Sequence, residues 1–228
     1  IYAIHTNLDN VLWGVNAKIM SLLGVSNHSV LSPMANTLHK FQVYVPKASL
    51  SAVSEAVFEV GGGKVSAYEE CSFTTAGIGT FKPTQGTNPV VGEIGIREEV
   101  DEVKVEFIVP SFAKSAVEFA ARATHPYDEM AYEWINIANK ATDYGAGAFG
   151  ELPEAMPFDA FLEHVKTTFG TTIRYTKPIT DKVRTVAVCG GSGSFLLGAA
   201  KAVKADVFIT ADYKYHQFFD ADAAITIM

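Results

Sequence analysis

The pattern of apolar and polar residues divides the chain into three stretches, and this division constrains the fold more than any other feature. Residues 1–38 and 139–228 alternate apolar strands with helical stretches, which is typical of βαβ units around a mostly parallel sheet. Residues 39–138 instead follow the order β-α-β-β-α-β, which is typical of a ferredoxin-like antiparallel sheet with two helices on one face. The sequence therefore predicts an α/β domain made of 1–38 and 139–228, interrupted by a ferredoxin-like α+β domain at 39–138.

Local signals at the start of the chain predict how the first domain begins. The first nine residues predict an apolar strand that ends in a polar cluster, and a helix is expected from Asn10 to Leu23. A stretch rich in Ser, Asn and Pro at 26–33 predicts a loop at the domain boundary. His5 and Asp9 meet at the predicted strand end, an arrangement that suits a metal or polyanion site.

The middle stretch carries clear helix and strand signals of its own. Residues 41–45 and 103–109 predict strands that each stop at a proline, and 48–60 places apolar side chains at helical spacing. A helix is expected to begin at Ser111, whose hydroxyl is suited to the N-cap position. A last strand over 131–137 completes the β-α-β-β-α-β order.

Composition excludes several classes of protein. The net charge is -7, from 18 basic and 25 acidic residues, and no basic stripe is present, which argues against a nucleic-acid partner. No apolar run approaches the roughly 20 residues needed to span a bilayer. Cys71 and Cys189 show neither metal-type spacing nor a disulfide framework, which predicts a reducing cytoplasm. Because the sequence begins and stops within predicted strands, we expect it to be a piece of a larger protein.

A glycine-rich loop follows the predicted strand at 183–189. It consists of Gly190, Gly191, Ser192, Gly193 and Ser194, and a helix of small residues comes next. Glycines here allow a sharp turn, and they also leave N–H groups that can meet an anion at a helix N-terminus. The loop lacks the Lys-Ser/Thr of a Walker loop and the full dinucleotide fingerprint. A tight βα turn and a substrate or anion contact both remain open.

Two further polar clusters could carry chemistry. Asp212, Lys214 and His216 directly follow a buried strand, and the carboxyl ends of parallel strands face the ligand crevice of α/β proteins. The alternative is a helix cap at Asp212 with surface Lys and His side chains. The segment 125–129, His-Pro-Tyr-Asp-Glu, suggests a metal site, but a turn stiffened by proline is the favoured interpretation.

Four segments of the chain resemble one known family along its whole length. They are HTNLDNVLWGVNAKI at 5–19, THPYDEMAYEWINI at 124–137, YGAGAFGELPEAMPFDAFLEHVK at 144–166, and VAVCGGSGSFL with FITADYKYHQ between 186 and 217. Together they are similar to the NIF-three-like dinuclear-metal-centre hexameric proteins, the GTP cyclohydrolase I type 2 homologues. The middle stretch resembles the insert of the longer members, which has a PII- or CutA-like ferredoxin-like fold.

The resemblance implies a site with two divalent metal ions, Zn, Fe or Mn. The family's ligands are a His-His pair, the Asp of HTNLD and a Gly-His-x-x-x-Glu motif, of which this sequence matches only Asp9. His5 and His216 are the implied catalytic side chains. The loop 190–194 and Lys214 would bind substrate in the same cleft. We therefore expect the 228 residues alone to lack a complete dinuclear centre.

The resemblance also implies a function and an assembly. The implied activity is metal-dependent hydrolysis of a nucleotide or phosphoester, of the GTP cyclohydrolase type, by a cytoplasmic homohexamer built as a trimer of dimers. Two cations would lower the pKa of a bridging water and hold an anionic substrate. The alternative is a non-catalytic protein that senses a ligand, handles metal or binds a partner through the PII/CutA-like insert. The sequence offers no membrane segment in either case.

Overall fold

The computed structural model describes residues 3–228 and divides the chain into two compact units. The first unit comprises the chain up to Met34 together with Ala141–Met228, and the second comprises Ala35–Lys140. None of the helices within residues 3–228 is both long and apolar enough to cross a membrane. The α-helices and strands, in chain order, are α1 (Thr6–Asp9), α2 (Val15–Leu22), β1 (His28–Pro33), β2 (Leu38–Pro46), α3 (Leu50–Glu59), β3 (Ser72–Phe81), β4 (Glu98–Pro110), α4 (Lys114–Thr124), β5 (Tyr132–Asn136), β6 (Gly145–Pro157), α5 (Phe158–Phe169), β7 (Lys182–Ser192), α6 (Leu197–Ala202), β8 (Val207–Ala211) and β9 (Thr226–Ile227).

The first unit is built on a five-stranded sheet in the order β1-β6-β7-β8-β9. The pairs β7–β8 and β8–β9 are parallel, whereas β1–β6 and β6–β7 are antiparallel. The α/β class is confirmed, but the sheet is mixed rather than mostly parallel. The reason is that α5 and the extended segment after it bring the chain back to its starting point, where the Phe158 N–H donates to the Asp181 carbonyl at 2.9 Å. The chain therefore enters β7 beside the end of β6 and must run antiparallel to it.

The segment 26–33 is not the loop that its composition predicts. Residues 28–33 form β1, an edge strand that pairs with β6 from His28↔Gly150 to Pro33↔Gly145. Val30 and Leu31 are buried, so the strand contributes to the core despite its serines. Proline is compatible with this position because an edge strand leaves some N–H groups without a ladder partner.

The start of the chain also differs from the prediction. Ile1 and Tyr2 lie outside the described residues, the next residues are not in a strand, and Ile4 is 57% exposed. A strand requires a neighbour for its backbone groups, and none pairs with 3–5 in the described chain. The helix does not begin at Asn10, because Leu12 donates its N–H to the Asp143 carbonyl at 2.9 Å and Val11 bridges to Tyr144. Residues 11 and 12 pair with the segment 143–144, so helix α2 starts only at Val15.

The second unit has the predicted β-α-β-β-α-β order. Its four strands form an antiparallel sheet in the order β3-β4-β2-β5, which is the ferredoxin-like arrangement. Alternate side chains of β2 and β4 are buried against α3 and α4: Phe41, Val43, Val45, Val105, Phe107 and Val109. Truncation of a core phenylalanine such as Phe41 to alanine costs about 3–5 kcal/mol. The opposite face of this sheet carries no helix among the described residues.

Ser111 does not cap a helix. It begins a 3-10 turn, Ser111–Ala113, and α4 starts at Lys114 without a side-chain cap. The Ser111 hydroxyl lies 2.8 Å from Nε2 of His39, and Nδ1 of His39 lies 2.8 Å from the amide oxygen of Asn136. His39 thus joins the first strand of this unit to its last strand and to the start of α4.

Candidate functional site

The candidate site lies at the carboxyl end of β7, the central strand of the first unit's sheet. This strand is buried on both faces: Val186 and Val188 belong to the core with α5, and Ala187 and Cys189 to the core with α6. A strand covered on both sides holds its end in a fixed position, so the loop after Cys189 starts from a rigid base. This is the edge where open α/β sheets bind ligands.

A buried asparagine joins this loop to the HTNLD segment. Asn16 of α2 is 2% exposed and stands in line with Met20 and Leu23 on the buried side of the helix. Its amide nitrogen donates to the backbone carbonyl of Asp9 at 2.9 Å, and its amide oxygen accepts the Gly190 N–H at 2.9 Å. The two hydrogen bonds satisfy both ends of the amide, which removes the cost of burying it. The structure therefore brings the Asp9 segment and the start of the 190–194 loop together.

Backbone conformation explains one glycine of the segment 190–194, and close packing explains another. Gly191 has φ +71°, a left-handed backbone that favours glycine, and its carbonyl accepts the Thr210 hydroxyl at 3.0 Å. A Cβ at Gly193 would lie 2.5 Å from Cβ of Cys189 and 2.5 Å from Oγ1 of Thr210. Gly190 and Gly191 thus belong to the irregular end of β7, which runs to Ser192 with a register shift against β8, and the turn towards α6 begins at Gly193. The Gly190 N–H, already bonded to Asn16, is not available to an anion.

The Asp9 carboxylate also affects the pKa of Cys189, a buried thiol of β7. Burial raises the pKa of Cys189, and the nearby Asp9 carboxylate raises it further. The thiol donates to the Gly190 carbonyl at 3.5 Å. A neutral, buried thiol is a poor nucleophile, so Cys189 serves packing rather than covalent chemistry.

A cleft of about 450 Å³ opens beside Gly190 and Gly191. One wall consists of Thr171, Thr172 and Arg174, from the extended return segment after α5, and Thr210 contributes a further hydroxyl. Arg174 is exposed, and its guanidinium forms no ion pair within residues 3–228. The cleft therefore combines an uncommitted cation with hydroxyl groups at its rim.

The other predicted site residues do not line this cleft. Ser192, Gly193 and Ser194 do not line it, and His5, Lys214 and His216 are exposed. The backbone of Lys214 is used locally, because its N–H donates to the side-chain oxygen of Gln217 at 3.0 Å. His216 lies in the 3-10 helix Tyr215–Ala221, without a hydrogen bond to the loop in the described structure.

Sequence reasoning missed Asn16, Arg174 and Thr210. One signal could have revealed Asn16, since positions 16, 20 and 23 form a helical stripe in which a polar residue interrupts apolar ones. Arg174 gives no such signal, because it belongs to an extended segment without periodicity.

The comparisons with known proteins agree on one family. Residues 1–228 match the sequence model of the Duf34/NIF3 family (NGG1p interacting factor 3). The chain belongs to the Duf34/NIF3 family. A protein of Halalkalibacterium halodurans named GTP cyclohydrolase 1 type 2 homolog is 40% identical over 223 residues, which cover 97% of this chain and 60% of the relative. A protein of Mycobacterium leprae with the same name is 36% identical over 221 residues, or 95% of this chain and 57% of the relative.

A solved structure supports the same conclusion about the fold. The crystal structure of a Bacillus cereus protein related to NIF3 superposes with a TM-score of 0.84 at 37% sequence identity, over 100% of this chain and 61% of that one. A Staphylococcus aureus protein follows with a TM-score of 0.65 at 28% identity, over 99% of this chain and 59% of its own. The predicted family and fold class are confirmed. This Duf34/NIF3 chain spans about 60% of the length of the relatives that it matches.

The dinuclear metal centre that the family resemblance implies does not fit the residues described here. Within residues 3–228, no group of three or more His, Cys, Asp or Glu side chains is placed to hold a metal ion. Asp9 therefore has no companion ligands in this part of the chain. In the 125–129 segment, the His125 ring is used by the turn: Nδ1 accepts the Tyr127 N–H at 3.1 Å, and Nε2 lies 2.8 Å from the Tyr44 carbonyl.

Proposed function

We propose that this Duf34/NIF3 chain belongs to a metal-dependent, hydrolase-like protein that acts on a nucleotide or another phosphorylated small molecule. In this proposal the cleft beside Gly190 and Gly191 receives the phosphate group. The observation that carries it is Arg174 on the wall of that cleft, which has no ion-pair partner within residues 3–228 and lies in the same cleft as Gly190, which Asn16 links to Asp9. The relatives named GTP cyclohydrolase 1 type 2 homolog support the choice of a nucleotide.

The chemistry of the rim suits an anion. A guanidinium can donate two parallel N–H bonds to a phosphate, and charge-assisted hydrogen bonds are about twice as strong as neutral ones. Thr171 and Thr172 add hydroxyl donors around it. The apolar side chains of Ile19, Phe169 and Ile209 line the rest of the cleft and could cover the body of the ligand. His5 and His216 keep their proposed catalytic roles, and Ser192, Gly193, Ser194 and Lys214 their proposed substrate contacts, on the family resemblance alone.

Binding of GTP by the 228-residue chain tests the phosphate contact. Arg174→Gln removes the cation, and we expect it to weaken GTP binding by about tenfold or more in isothermal titration calorimetry. Arg184→Gln is the matched control, because Arg184 pairs with Glu151 at 2.9 Å on the surface and does not line the cleft. Equal affinity in the two variants, or no GTP binding at all by the unaltered chain, would contradict the proposal.

Turnover requires a separate test on the full-length protein. It should be assayed against nucleotides and phosphoesters with and without Mn²⁺, Fe²⁺ or Zn²⁺. Loss of metal-dependent turnover on Asp9→Ala would support Asp9 as one ligand of the two proposed cations. The cytoplasmic location and the closed homohexamer, a trimer of dimers, belong to the same proposal and are checked by fractionation and by mass measurement in solution.

A non-catalytic, ligand-sensing role is the second candidate, beside metal handling or partner binding by the insert. One observation favours sensing: the second unit contains a cleft of its own, of about 440 Å³. Ligand binding by the second unit without turnover by the full-length protein would favour this role.

A further inference from the structure

The cleft of the second unit lies on the face of its sheet that faces away from α3 and α4. Side chains alternate along a strand, so Tyr44 of β2 and Glu102 of β4 point away from the core residues beside them. These two residues and Gly79 and Phe81 of β3 line the cleft. Its remaining walls come from the loop after β3, which includes Lys82, Pro83, Thr87, Pro89, Val90 and Val91, and from the turn before β5.

Hydrogen bonds within the protein hold both walls in place. His125 joins the turn to β2 through the Tyr44 carbonyl, as described above. The carboxylate of Asp128 accepts the Asn88 N–H at 2.9 Å and so ties the turn to the loop. The loop also closes on itself, because the Gly95 N–H donates to the Pro83 carbonyl at 2.8 Å. The cleft is therefore formed before any ligand binds, which lowers the cost of binding.

Gly79 lies at the bottom of the cleft, and Gly77 lies two residues earlier on the same face of β3. Gly77 pairs with Glu102 and Gly79 with Val100 across the β3–β4 ladder, on the same face as Glu102. A Cβ at Gly79 would overlap the Glu102 carboxylate, and a Cβ at Gly77 would project into open space. The lack of a side chain at Gly79 therefore leaves room for the Glu102 carboxylate at the bottom of the cleft.

A buried tyrosine hydroxyl lies beside the Glu102 carboxylate. The Tyr127 oxygen is inaccessible to solvent, so a ligand in the cleft meets the ring and not the hydroxyl. Burial raises the pKa of Tyr127, and the nearby Glu102 carboxylate raises it further, so the hydroxyl stays protonated. The Tyr127 and Phe81 rings lie 6.1 Å apart and form an aromatic corner next to it. The Glu102 carboxylate therefore stands next to an aromatic surface, and both groups attract a cation.

The charges around the cleft select a positive ligand. Three carboxylates line it, from Glu102, Asp128 and Glu129, against one lysine, Lys82. The neighbouring cations on the same sheet face are occupied, because Lys40 and Lys104 both pair with Glu106, at 3.6 and 3.2 Å. None of the three lining carboxylates has an ion-pair partner within residues 3–228. These carboxylates would repel an anion such as a nucleotide phosphate.

We infer that this cleft binds a small organic cation with an apolar, aromatic body, of the arylalkylamine class. The ammonium group pairs with the Glu102 carboxylate, beside the aromatic corner of Phe81 and Tyr127. The aromatic body packs against Phe81, Pro89 and Val90. The volume suits such a molecule, since small-ligand pockets range from about 300 to 1,000 Å³. This site is separate from the phosphate-binding cleft proposed for the first unit and takes a ligand of opposite charge.

The test compares three probes on the 228-residue chain by isothermal titration calorimetry. Tryptamine is the cationic probe, tryptophol is its neutral analogue of similar shape, and GTP is the anionic competitor. We expect saturable binding of tryptamine, at least about tenfold weaker binding of tryptophol, and no displacement of tryptamine by GTP. Tryptophol binding as tightly as tryptamine, displacement by GTP, or no tryptamine binding would overturn the inference. GTP binding that does not compete with tryptamine would concern the other cleft only.

Three variants assign the binding to this cleft. Glu102→Gln should weaken tryptamine binding by about tenfold or more because it removes the charge, whereas Tyr127→Phe keeps the ring and should bind tryptamine as the unaltered chain does. Asp101→Asn is the matched control, since Asp101 is the next residue of the same strand, points to the opposite face and does not line the cleft. Circular dichroism shows whether each variant is folded. An equal loss in Asp101→Asn and Glu102→Gln, with the fold retained in both, would show that net charge alone drives binding and would contradict a specific site.

Discussion

The side chain of Asn16 accepts a 2.9 Å hydrogen bond from the backbone of Gly190, although the two residues are 174 positions apart. The same amide donates to Asp9, so one side chain fixes the relative position of two segments of the candidate site. The link depends on both ends of the amide and on its almost complete burial. Asn16 is therefore a positioning residue, and we expect its replacement to lower the free energy of unfolding.

We expect Asn16→Ala to lower the free energy of unfolding by about 1–3 kcal/mol, because the Gly190 N–H and the Asp9 carbonyl lose their partner in a buried place. Urea denaturation followed by circular dichroism measures this. Asn7→Ala is the matched control on an exposed position of α1, where a change within about 0.5 kcal/mol is expected. A variant at Asn16 that is as stable as the one at Asn7 would show that the bridge contributes little.

Replacement by alanine should change the stability of the protein in opposite directions at Gly193 and Gly198. Gly193→Ala places a Cβ 2.5 Å from Cys189 and Thr210, so we expect a destabilisation of about 1–3 kcal/mol. At Gly198, within α6, a Cβ meets nothing within 4 Å, and the helix should gain up to about 1 kcal/mol. Thermal melting of the two variants gives the comparison. The same sign of change in both would contradict the packing described for the loop.

The two free cysteines should differ in reactivity. Burial and the Asp9 carboxylate raise the pKa of Cys189, so its thiolate is scarce near pH 8, whereas Cys71 is partly exposed. We expect iodoacetamide to modify Cys71 first and Cys189 much more slowly, as read by mass spectrometry of peptides. Asp9→Asn should speed the modification of Cys189, because it removes the repulsion between the two negative charges.

The raised pKa of Cys189 also makes stability depend on pH. The folded state binds the thiol proton more tightly than the unfolded chain does, so the contribution is complete below the ordinary thiol pKa. It is lost as the pH rises through the folded-state value. A stability curve in which Cys189→Ala loses no pH dependence in the alkaline range would contradict this account.

In the second unit, Glu118 should lose its stabilising effect in acid. The Tyr132 hydroxyl donates to it at 2.8 Å and is the main cause of its lowered pKa, and Trp134 adds an N–H at 3.1 Å, while burial acts in the opposite direction. The contribution is complete above the ordinary carboxyl pKa and is lost as the pH falls through the lower folded-state value. We expect Glu118→Gln to cost about 1 kcal/mol at pH 7 and less at pH 3, measured by urea denaturation.

Glu163→Gln provides the control for that experiment. Glu163 pairs with Lys166 at 3.0 Å on the exposed side of α5, and such surface pairs contribute about 0.2–0.5 kcal/mol. A pH dependence as large for Glu163→Gln as for Glu118→Gln would mean that the hydrogen bonds from Tyr132 and Trp134 are not responsible.

Periodicity made most of the fold predictable, because it reports which face of an element is buried. The alternation at 41–45 marks β2, and the apolar spacing at 48–60 marks α3, since in both cases packing follows the local pattern. β1 was mistaken for a loop because its serines and proline are turn formers, and only its pairing with β6 makes it a strand. The direction of β7 was also hidden, because it depends on the return path after α5.

The candidate site was only partly predictable, for a related reason. Gly190 and Gly191 follow a recognisable strand, and Asn16 joins this segment to the Asp9 backbone. His5, Lys214 and His216 were predicted from strand ends and from the family resemblance, which do not indicate which side chains a folded cleft contains. Arg174 escaped notice because its importance comes from the cleft next to it, and a cleft is a property of the folded chain.

The ladder contact between His39 and Asn136 has a consequence for how the chain reaches its native state. These residues are close to the two ends of the second unit, and their pairing across β2 and β5 holds those ends side by side. In the first unit, β1 and β6 are separated by roughly 110 residues but pair directly from Pro33↔Gly145, like the two arms of a hairpin. Joining such distant arms in an unfolded chain costs on the order of 4 kcal/mol of loop-closure entropy. If the second unit folds first, its folding already brings Pro33 and Gly145 close together. β1 and β6 can then pair as a local hairpin with little further loss of chain entropy. The insert would then act as a compact connection between β1 and β6. For the same reason, the first unit's sheet should still form when a short turn replaces residues 35–140.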